Sequence, residues 1–305
     1  MLLALAALWG GSFPFMRAAA PSFGPIPLIA TRLVVAALVF LPIFRRAEFR
    51  TLARRNAGAL LANGLLSAAV PFCLLAFSTL SLTAGFTSLL NALTPLSTAI
   101  LAWVVWRHRM SRIQWFGLTL GLAGVAVLCW GRMSFRAGGS GWAIVTAMLA
   151  TVCYGIGGNV AKRRFAGLPA PLTAGGTLLG ASIGCVIPGL ATWPATNPPA
   201  TAWASAIVLG MLCTSVAYLL YFRLLLSVTA TQVSSVTFLV PMFSILWGGL
   251  FLGESLTMRM LVASIVILTG TALANGILGP RRRNTDVGRF KPGDAPCESR
   301  PDRSA

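Results

Sequence analysis

Long apolar runs separated by short polar segments make up most of the chain. A hydrocarbon core of about 30 Å needs about 20 apolar residues in a helix, and the runs approach that length. The predicted spans are 2–19, 28–44, 57–77, 82–106, 113–130, 142–160, 172–190, 202–222, 229–252 and 260–278. The leading run has no positively charged segment before it, so we interpret it as the first span and not as a signal peptide.

One sequence pattern occurs twice, at an offset of 146 positions. The matching positions are Thr83-Ala84, Asn91, Pro95 and His108 in the first copy and Thr229-Ala230, Thr237, Pro241 and Glu254 in the second. Each copy holds five spans, so the second copy must cross the membrane in the opposite direction. The pattern predicts an all-α integral membrane protein with ten transmembrane helices, built as inverted five-helix repeats over 1–131 and 139–278. Inverted repeats around a midplane site are typical of secondary transporters.

The composition excludes an ordinary soluble domain. The chain is 56% hydrophobic and only 10% charged, whereas about a quarter of the residues in a soluble domain are charged. The net charge of +18 comes from short basic clusters between apolar runs. A nucleic-acid binder would gather its basic residues on one soluble face, so we exclude nucleic acid and expect membrane lipid as the surroundings.

The distribution of charge also predicts the orientation. With both termini in the cytoplasm, 19 of the 24 basic residues lie on the inner side and four on the outer side, as the positive-inside rule requires. Only two of the basic residues are lysine, which suggests a GC-rich bacterial genome. We therefore expect a multi-pass protein of the bacterial inner (plasma) membrane.

Other features carry little chemistry. Residues 279–305 are polar and rich in charge, which predicts a disordered basic cytoplasmic tail. The six cysteines form no CxxC pair, so neither a metal site nor another cofactor is expected. Glycine faces indicate close helix packing, either within the chain or in a homodimer; they comprise Gly117 and Gly121, and Gly176, Gly180 and Gly184.

Polar residues line one face of the fourth span. Thr87, Asn91, Thr94 and Thr98 recur at helical spacing, and Ser234, Thr237 and Ser244 form the matching stripe of the ninth span. Pro95 and Pro241 are predicted to kink these helices, because each lacks the N–H that would bond the carbonyl four residues earlier. A freed carbonyl must face protein, water or a ligand. The hydroxyl groups could instead bond their own helix or a neighbouring helix, typically for about 0.6 kcal/mol each.

Aromatic residues also recur between the halves. Trp9 precedes Ser12 in the first span, Tyr154 takes the matching place in the sixth, and Phe72 matches Tyr218 in spans three and eight. Membrane Trp and Tyr usually form interfacial belts. Tyr218 lies too deep in its span for a belt, which favours the wall of a cavity.

Three ionisable residues are candidates for coupling or gating: Arg32, His108 and Glu254. Arg32 lies inside the second span, and we expect it to extend toward the outer surface. If it faces a cavity instead, it would favour an anionic or carboxylate-bearing solute. His108 and Glu254 lie at span ends, so the sequence gives little support for a buried proton relay.

The chain resembles a known family. The WGGSFPFMR opening, the Arg32-Leu33 pair and the duplicated TA…P…GE pattern are similar to the EamA-type carriers of the drug/metabolite transporter superfamily, over about residues 1–278. The resemblance implies an inner-membrane carrier that exports or exchanges amino acids, other metabolites or toxic compounds through a central cavity. The solute-binding positions it implies are Trp9, Ser12, Phe72, Asn91, Thr94, Tyr154, Asn159, Tyr218, Ser235 and Thr237.

The first half departs from the family at one place. Members commonly end the fourth span with Gly-Glu-Arg, and the second half keeps Gly253-Glu254, but the first half has Arg107-His108-Arg109. A role that needs an acid on the cytoplasmic side is therefore in doubt.

The sequence predicts a secondary transporter that moves a small amino-acid-like or amphipathic solute by alternating access. A dual-topology channel and a non-transporting membrane scaffold stay open as alternatives. An intramembrane enzyme is least supported, because the spans contain neither a nucleophile with a base nor a set of metal ligands.

Overall fold

The structure is a computed structural model that describes residues 1–107, 110–136, 139–165, 167–227 and 236–274. Within these ranges the chain is helical and forms no strand. Eight helical segments are long and apolar enough to cross a membrane, so the chain is a multi-pass membrane protein: Leu2–Phe23, Pro25–Arg45, Ala57–Ser78, Ala84–Val105, Arg112–Cys129, Gly141–Ala161, Ala170–Ala191 and Ala200–Tyr221. Two shorter apolar helices follow, Val236–Leu252 and Met258–Ala274.

We number the helices in chain order. They are α1 Leu2–Phe23, α2 Pro25–Phe40, α3 Ala47–Arg55, α4 Ala57–Gly64, α5 Val70–Ser78, α6 Ala84–Asn91, α7 Thr94–Trp106, α8 Arg112–Cys129, α9 Gly141–Arg164, α10 Ala170–Ala191, α11 Ala200–Gly210, α12 Ala217–Ser227, α13 Val236–Leu252 and α14 Met258–Ala274. The pairs α4–α5, α6–α7 and α11–α12 make up the third, fourth and eighth predicted spans. The predicted tail, 279–305, lies outside the described residues.

Two spans contain a π-helical stretch at their middle. One, Leu65–Ala69, joins α4 to α5, and the other, Met211–Val216, joins α11 to α12. A π-helical turn inserts an extra residue and weakens the regular backbone bonding. In the second stretch the hydroxyls of Thr214 and Ser215 donate to the carbonyls five residues earlier, at 2.8 and 2.9 Å. These side-chain hydrogen bonds satisfy backbone carbonyls to which lipid offers no donor.

The fourth span is interrupted where the sequence has Pro95. Helix α6 ends at Asn91 and α7 begins at Thr94, so that Pro95 lies in the first turn of a helix, where no N–H donor is needed. The hydroxyl of Thr94 donates to the Asn91 carbonyl at 2.7 Å. The carbonyl that Pro95 leaves free is thus satisfied within the same span. Helix α13, in contrast, continues through Pro241.

The helices pack in related pairs. Helix α1 contacts α11 and α13, while α9 contacts α5 and α7; α2 packs on α10, and α8 on α14. The glycine faces serve these contacts: a Cβ at Gly180 would lie 2.8 Å from Cα of Leu61 in α4, and a Cβ at Gly117 would lie 2.6 Å from the Gly270 carbonyl oxygen in α14. The close packing predicted at these two glycines therefore occurs within the chain.

Candidate functional site

An ion-paired cluster holds one end of the helix bundle together. The Nε atom of Arg17 lies 2.8 Å from Oε1 of Glu254. Arg17 also donates through Nη1 to the carbonyls of Thr79, at 3.2 Å, and Leu82. The same Oε1 accepts the N–H of Ala84, the first residue of α6, at 2.9 Å. A carboxylate in that place satisfies an N–H without an intrahelical partner and complements the helix dipole. We call this group the Arg17–Glu254 cluster.

Local sequence places Glu254 in this position. Gly253 has a φ of 64°, a left-handed conformation that glycine adopts without steric cost. It ends α13 and turns the chain back, so that the N–H of Glu254 donates to the Gly248 carbonyl at 3.1 Å. A Cβ at Gly248 would lie 2.7 Å from Oε2 of Glu254. Gly253 therefore supplies the turn, and Gly248 leaves the space that the carboxylate occupies.

Arg32 lies deep in the bundle. Its side chain is only 3% exposed, so the expectation that it extends to the outer surface is wrong. Its Nε donates to Oγ1 of Thr214 at 2.9 Å, and its Nη1 lies 3.7 Å from Sδ of Met16. The Cζ atom is 3.9 Å from the centroid of the Phe72 ring. Helices α1, α2 and α5 and the second π-helical stretch thus meet around one cation.

Aromatic rings continue this cluster. The rings of Phe72 and Tyr154 are 6.3 Å apart in an edge-to-face arrangement. Tyr154 and Tyr218 are both close enough to Arg32 to interact with its charge. Of the residues predicted from the sequence, the structure therefore brings Arg32, Phe72, Tyr154 and Tyr218 together.

Several buried polar atoms lack a partner within the described part of the chain. They are Ser78 Oγ, Thr87 Oγ1, Asn91 Oδ1 and Ser244 Oγ. The Ser12 hydroxyl on α1 interacts only with the thiol of Cys213 among the described residues. All four residues except Ser78 belong to α6 and α13, which contact each other and α1. The contact is close at Gly10, where a Cβ would be 2.8 Å from the Val240 carbonyl oxygen. Unsatisfied buried oxygens cost about 1–3 kcal/mol each, so this interface is suited to bind a polar group.

Other predicted residues have partners within the protein. Asn159 donates its amide to the carbonyl of Gly155 at 2.9 Å and to that of Thr98 at 3.3 Å, which ties α9 to α7. Trp9 lies against Tyr221, with ring centroids 5.7 Å apart. Thr237 is half-buried on α13. His108 and Ser235 lie outside the described residues.

Sequence reasoning missed two contacts of Arg32. Met16 follows Ser12 by one helical turn, so the two residues share one face of α1. This spacing could have identified Met16 as a neighbour of the predicted site. Thr214 lies four residues before Tyr218, but its orientation depends on the π-helical stretch, for which the sequence gives no sign.

A cleft of about 320 Å³ lies near the Arg17–Glu254 cluster. Its lining residues are Phe86, Leu128, Arg132, Thr257, Arg259 and Met260. None of these residues was predicted as part of a site. The chemistry predicted from the sequence therefore lies in the packed interior and not in this cleft.

Comparison with known proteins gives matches over nearly the whole chain. The EamA-like transporter family matches residues 1–130 and again residues 141–276. A probable terminal-alkyne amino-acid exporter from Streptantibioticus cattleyicolor is 25% identical over 285 residues, which are 92% of this chain and 94% of the exporter. The uncharacterized transporter YvbV of Bacillus subtilis is 25% identical over 280 residues, with 90% of each protein covered.

A solved crystal structure has a similar fold. It superposes with a TM-score of 0.63 at 18% sequence identity, covering 94% of this chain and 98% of the other. At this identity the likeness shows a shared fold and nothing about the solute.

Proposed function

The chain belongs to the EamA-like transporter family, and from that premise we propose that it is a secondary carrier working by alternating access. The family and its named relatives are membrane transporters, which points away from an enzyme. The solute we propose is small and amino-acid-like or amphipathic, and it is exported or exchanged. The relative named as a probable amino-acid exporter supports this class and direction.

The architecture we propose is ten spans in two inverted repeats, with α13 and α14 as the ninth and tenth. The π-helical stretches support it, since Leu65 and Met211 differ by the same 146 positions as the sequence pattern. The contacts support it at the level of whole spans: the first span packs on the eighth and ninth through α11 and α13, and the sixth packs on the third and fourth through α5 and α7. The family also matches once in each half.

The observation that carries the proposal is the set of buried oxygens on α6 and α13 that have no partner among the described residues: Thr87 Oγ1, Asn91 Oδ1 and Ser244 Oγ. In a membrane interior such atoms need a hydrogen-bond partner. A solute or water that binds and leaves would provide one, whereas a permanent structural role would favour apolar side chains here. Three such atoms on two helices that pack against each other and against α1 are the feature expected of a transport pathway.

The Arg17–Glu254 cluster supports gating at one end. It links α1 to α6 and α13 by charged contacts, and α6 and α13 are the helices that hold the unpartnered oxygens. At the proposed equivalent positions of the other half the sequence has Lys162 and His108. Two basic side chains cannot pair with each other as Arg17 and Glu254 do, so we propose that the two ends close by different contacts.

For the orientation we propose that both termini face the cytoplasm of a bacterium, with the Arg17–Glu254 cluster on the outer side. Five arginines lie between residues 45 and 55, in and beside the loop helix α3. By the positive-inside rule, the end of the bundle that carries α3 is the cytoplasmic one.

Site-directed variants in liposomes test the proposed pathway. Asn91→Ala and Tyr218→Ala should each abolish uptake of a labelled panel of amino acids and related metabolites without reducing membrane insertion. The matched control is Thr119→Ala, because Thr119 is exposed on α8 and its hydroxyl bonds the Phe116 carbonyl of the same helix. Normal transport by both variants would refute the assignment of the pathway.

A further inference from the structure

We propose that Arg32 binds a carboxylate group of the solute, an inference that rests on the proposed carrier function. Three features of the interior support it: the charge balance, the edge of the guanidinium that has no oxygen acceptor among the described residues, and the surrounding aromatic rings.

No protein carboxylate balances the charge of Arg32 in the described part of the chain. Before residue 280 the sequence has only two acidic residues, Glu48 and Glu254. Glu48 is exposed on α3, and Glu254 is paired with Arg17. A cation buried in a membrane interior is costly and usually has a counter-ion or a functional role. The missing negative charge is what an anionic solute would bring.

The contacts of Arg32 leave one edge of the guanidinium available. Nε is used by Thr214, while Nη1 has only the weak acceptor Sδ of Met16 at 3.7 Å. Neither terminal nitrogen has an oxygen acceptor among the described residues. The edge formed by the two terminal nitrogens matches the two oxygens of a carboxylate, which arginine commonly binds through a pair of parallel hydrogen bonds. The ring of Phe72 lies against the guanidinium, 3.9 Å from Cζ to the ring centroid.

Ser12 lies on the same side of the cation. It is 5% exposed and lies one turn before Met16, on the face of α1 that contacts Arg32. Its hydroxyl interacts with the thiol of Cys213, the neighbour of Thr214. The surroundings of Arg32 on α1 and on the second π-helical stretch are therefore polar but uncharged.

The rings around Arg32 restrict the class of solute. Phe72 lies against the guanidinium, and Tyr154 and Tyr218 are close enough to interact with its charge, so three aromatic rings and two phenol hydroxyls surround it. One guanidinium matches one carboxylate, so a solute with several negative charges would be poorly balanced. The structure therefore favours a small monocarboxylate or zwitterion with an apolar body, such as an amino acid.

Matched pairs of probes test the inference by binding. The unfolding temperature of the purified full-length protein in detergent is measured in the presence of each probe. One pair is 3-phenylpropionate and 3-phenylpropionamide, and the other is L-phenylalanine and its amide. In at least one pair the carboxylate should stabilise the protein at concentrations about tenfold or more below those of the amide. Equal potency of carboxylate and amide in both pairs would overturn the proposal.

Two variants of Arg32 and one control assign the preference to this residue. Arg32→Gln should remove it, and Arg32→Lys, which keeps the charge but loses the paired geometry, should reduce it several-fold. Arg50→Gln, at an exposed arginine of α3, should keep it. If Arg32→Gln keeps the full preference for carboxylate over amide, the proposal is contradicted. If Arg32→Gln does not fold, full retention of that preference by Arg32→Lys contradicts it.

The binding test separates this inference from the proposed function. If the wild-type protein binds carboxylates through Arg32 but moves no solute in liposomes, the carrier proposal fails and the binding site stands. If it transports solutes with no preference for the carboxylate members, the carrier proposal stands and the role of Arg32 fails.

Discussion

Arg17 lies in the first helix of the described chain and Glu254 lies just after the second-last, yet their side chains are 2.8 Å apart. The carboxylate side chain is only 10% exposed, so solvent screens the pair less than it would at a free surface. Because Glu254 also accepts the N–H of Ala84, one side chain joins three helices. Removal of the Glu254 carboxylate should therefore change the conformation of this end of the bundle more than the loss of a surface ion pair would.

Glu254→Gln is expected to open the end of the bundle that holds the Arg17–Glu254 cluster. A loss of about 1.4 kcal/mol from the closed state raises the open population about tenfold. The measurement is the labelling rate, by a membrane-impermeant maleimide, of a cysteine introduced by Ser88→Cys. Ser88 is fully buried one turn inside Ala84, so labelling should be slow until this end opens.

The control for that measurement is Glu48→Gln, which removes the other described carboxylate from an exposed position on α3. It should leave the labelling rate unchanged over the background of the native cysteines. Equal rates in the Glu254→Gln and Glu48→Gln proteins would show that the ion pair does not hold this end closed.

His108→Glu should slow exchange. In the proposed repeat, position 108 matches Glu254 and Lys162 matches Arg17, so the substitution would add a carboxylate near a basic residue at the opposite end. A new charged contact should stabilise closure there and reduce the turnover of solute exchange in liposomes. His108→Gln adds no charge and should exchange at the wild-type rate; identical turnover in all three proteins would contradict the proposed symmetry.

Thr94→Val should destabilise the protein, whereas Thr94→Ser should not. The Thr94 hydroxyl is the donor to the carbonyl of Asn91, and Pro95 removes the backbone donor that would replace it. An unpaired buried carbonyl costs about 1–3 kcal/mol, which a thermal unfolding curve in detergent detects.

The neighbouring Thr98→Val serves as the comparison for Thr94→Val. Its hydroxyl also bonds a carbonyl in its own span, that of Thr94, but there no proline removes the backbone donor. It should cost only a few tenths of a kcal/mol. Equal effects of the two valine substitutions would mean that the hydroxyl of Thr94 does not compensate for the proline.

Gly10→Val should separate α1 from α13. A Cβ at Gly10 would meet Cβ of Phe243 at 2.7 Å and the Val240 carbonyl oxygen at 2.8 Å, and overpacking of this kind costs about 1–3 kcal/mol. Gly58 in α4 has no neighbour within 4 Å of its Cβ position, so Gly58→Ala should be neutral or stabilise by up to about 1 kcal/mol. Unfolding temperatures that do not fall for Gly10→Val would contradict the close approach.

The sequence predicts the first eight spans well because lipid requires a continuous apolar helix, and the apolar runs show this directly. The place of Arg32 was predicted wrongly because a cation in a span can extend to the surface or lie buried, and the choice depends on Met16, Phe72 and Thr214, which come from other helices. The partner of Glu254 was missed for a similar reason, since Arg17 is remote in sequence. The π-helical stretch before Tyr218 depends on tertiary packing and leaves no local pattern.

The most direct test of the central claim, that this chain is a carrier, is counterflow in liposomes. The purified protein is reconstituted, the vesicles are loaded with an unlabelled amino acid or related metabolite, and entry of the labelled form is followed without any ion gradient. A carrier that alternates between two closed ends should accumulate the label transiently above its equilibrium level, with saturable kinetics. Rapid, non-saturable equilibration without accumulation would indicate a channel, and no entry of any solute in the panel would contradict the account.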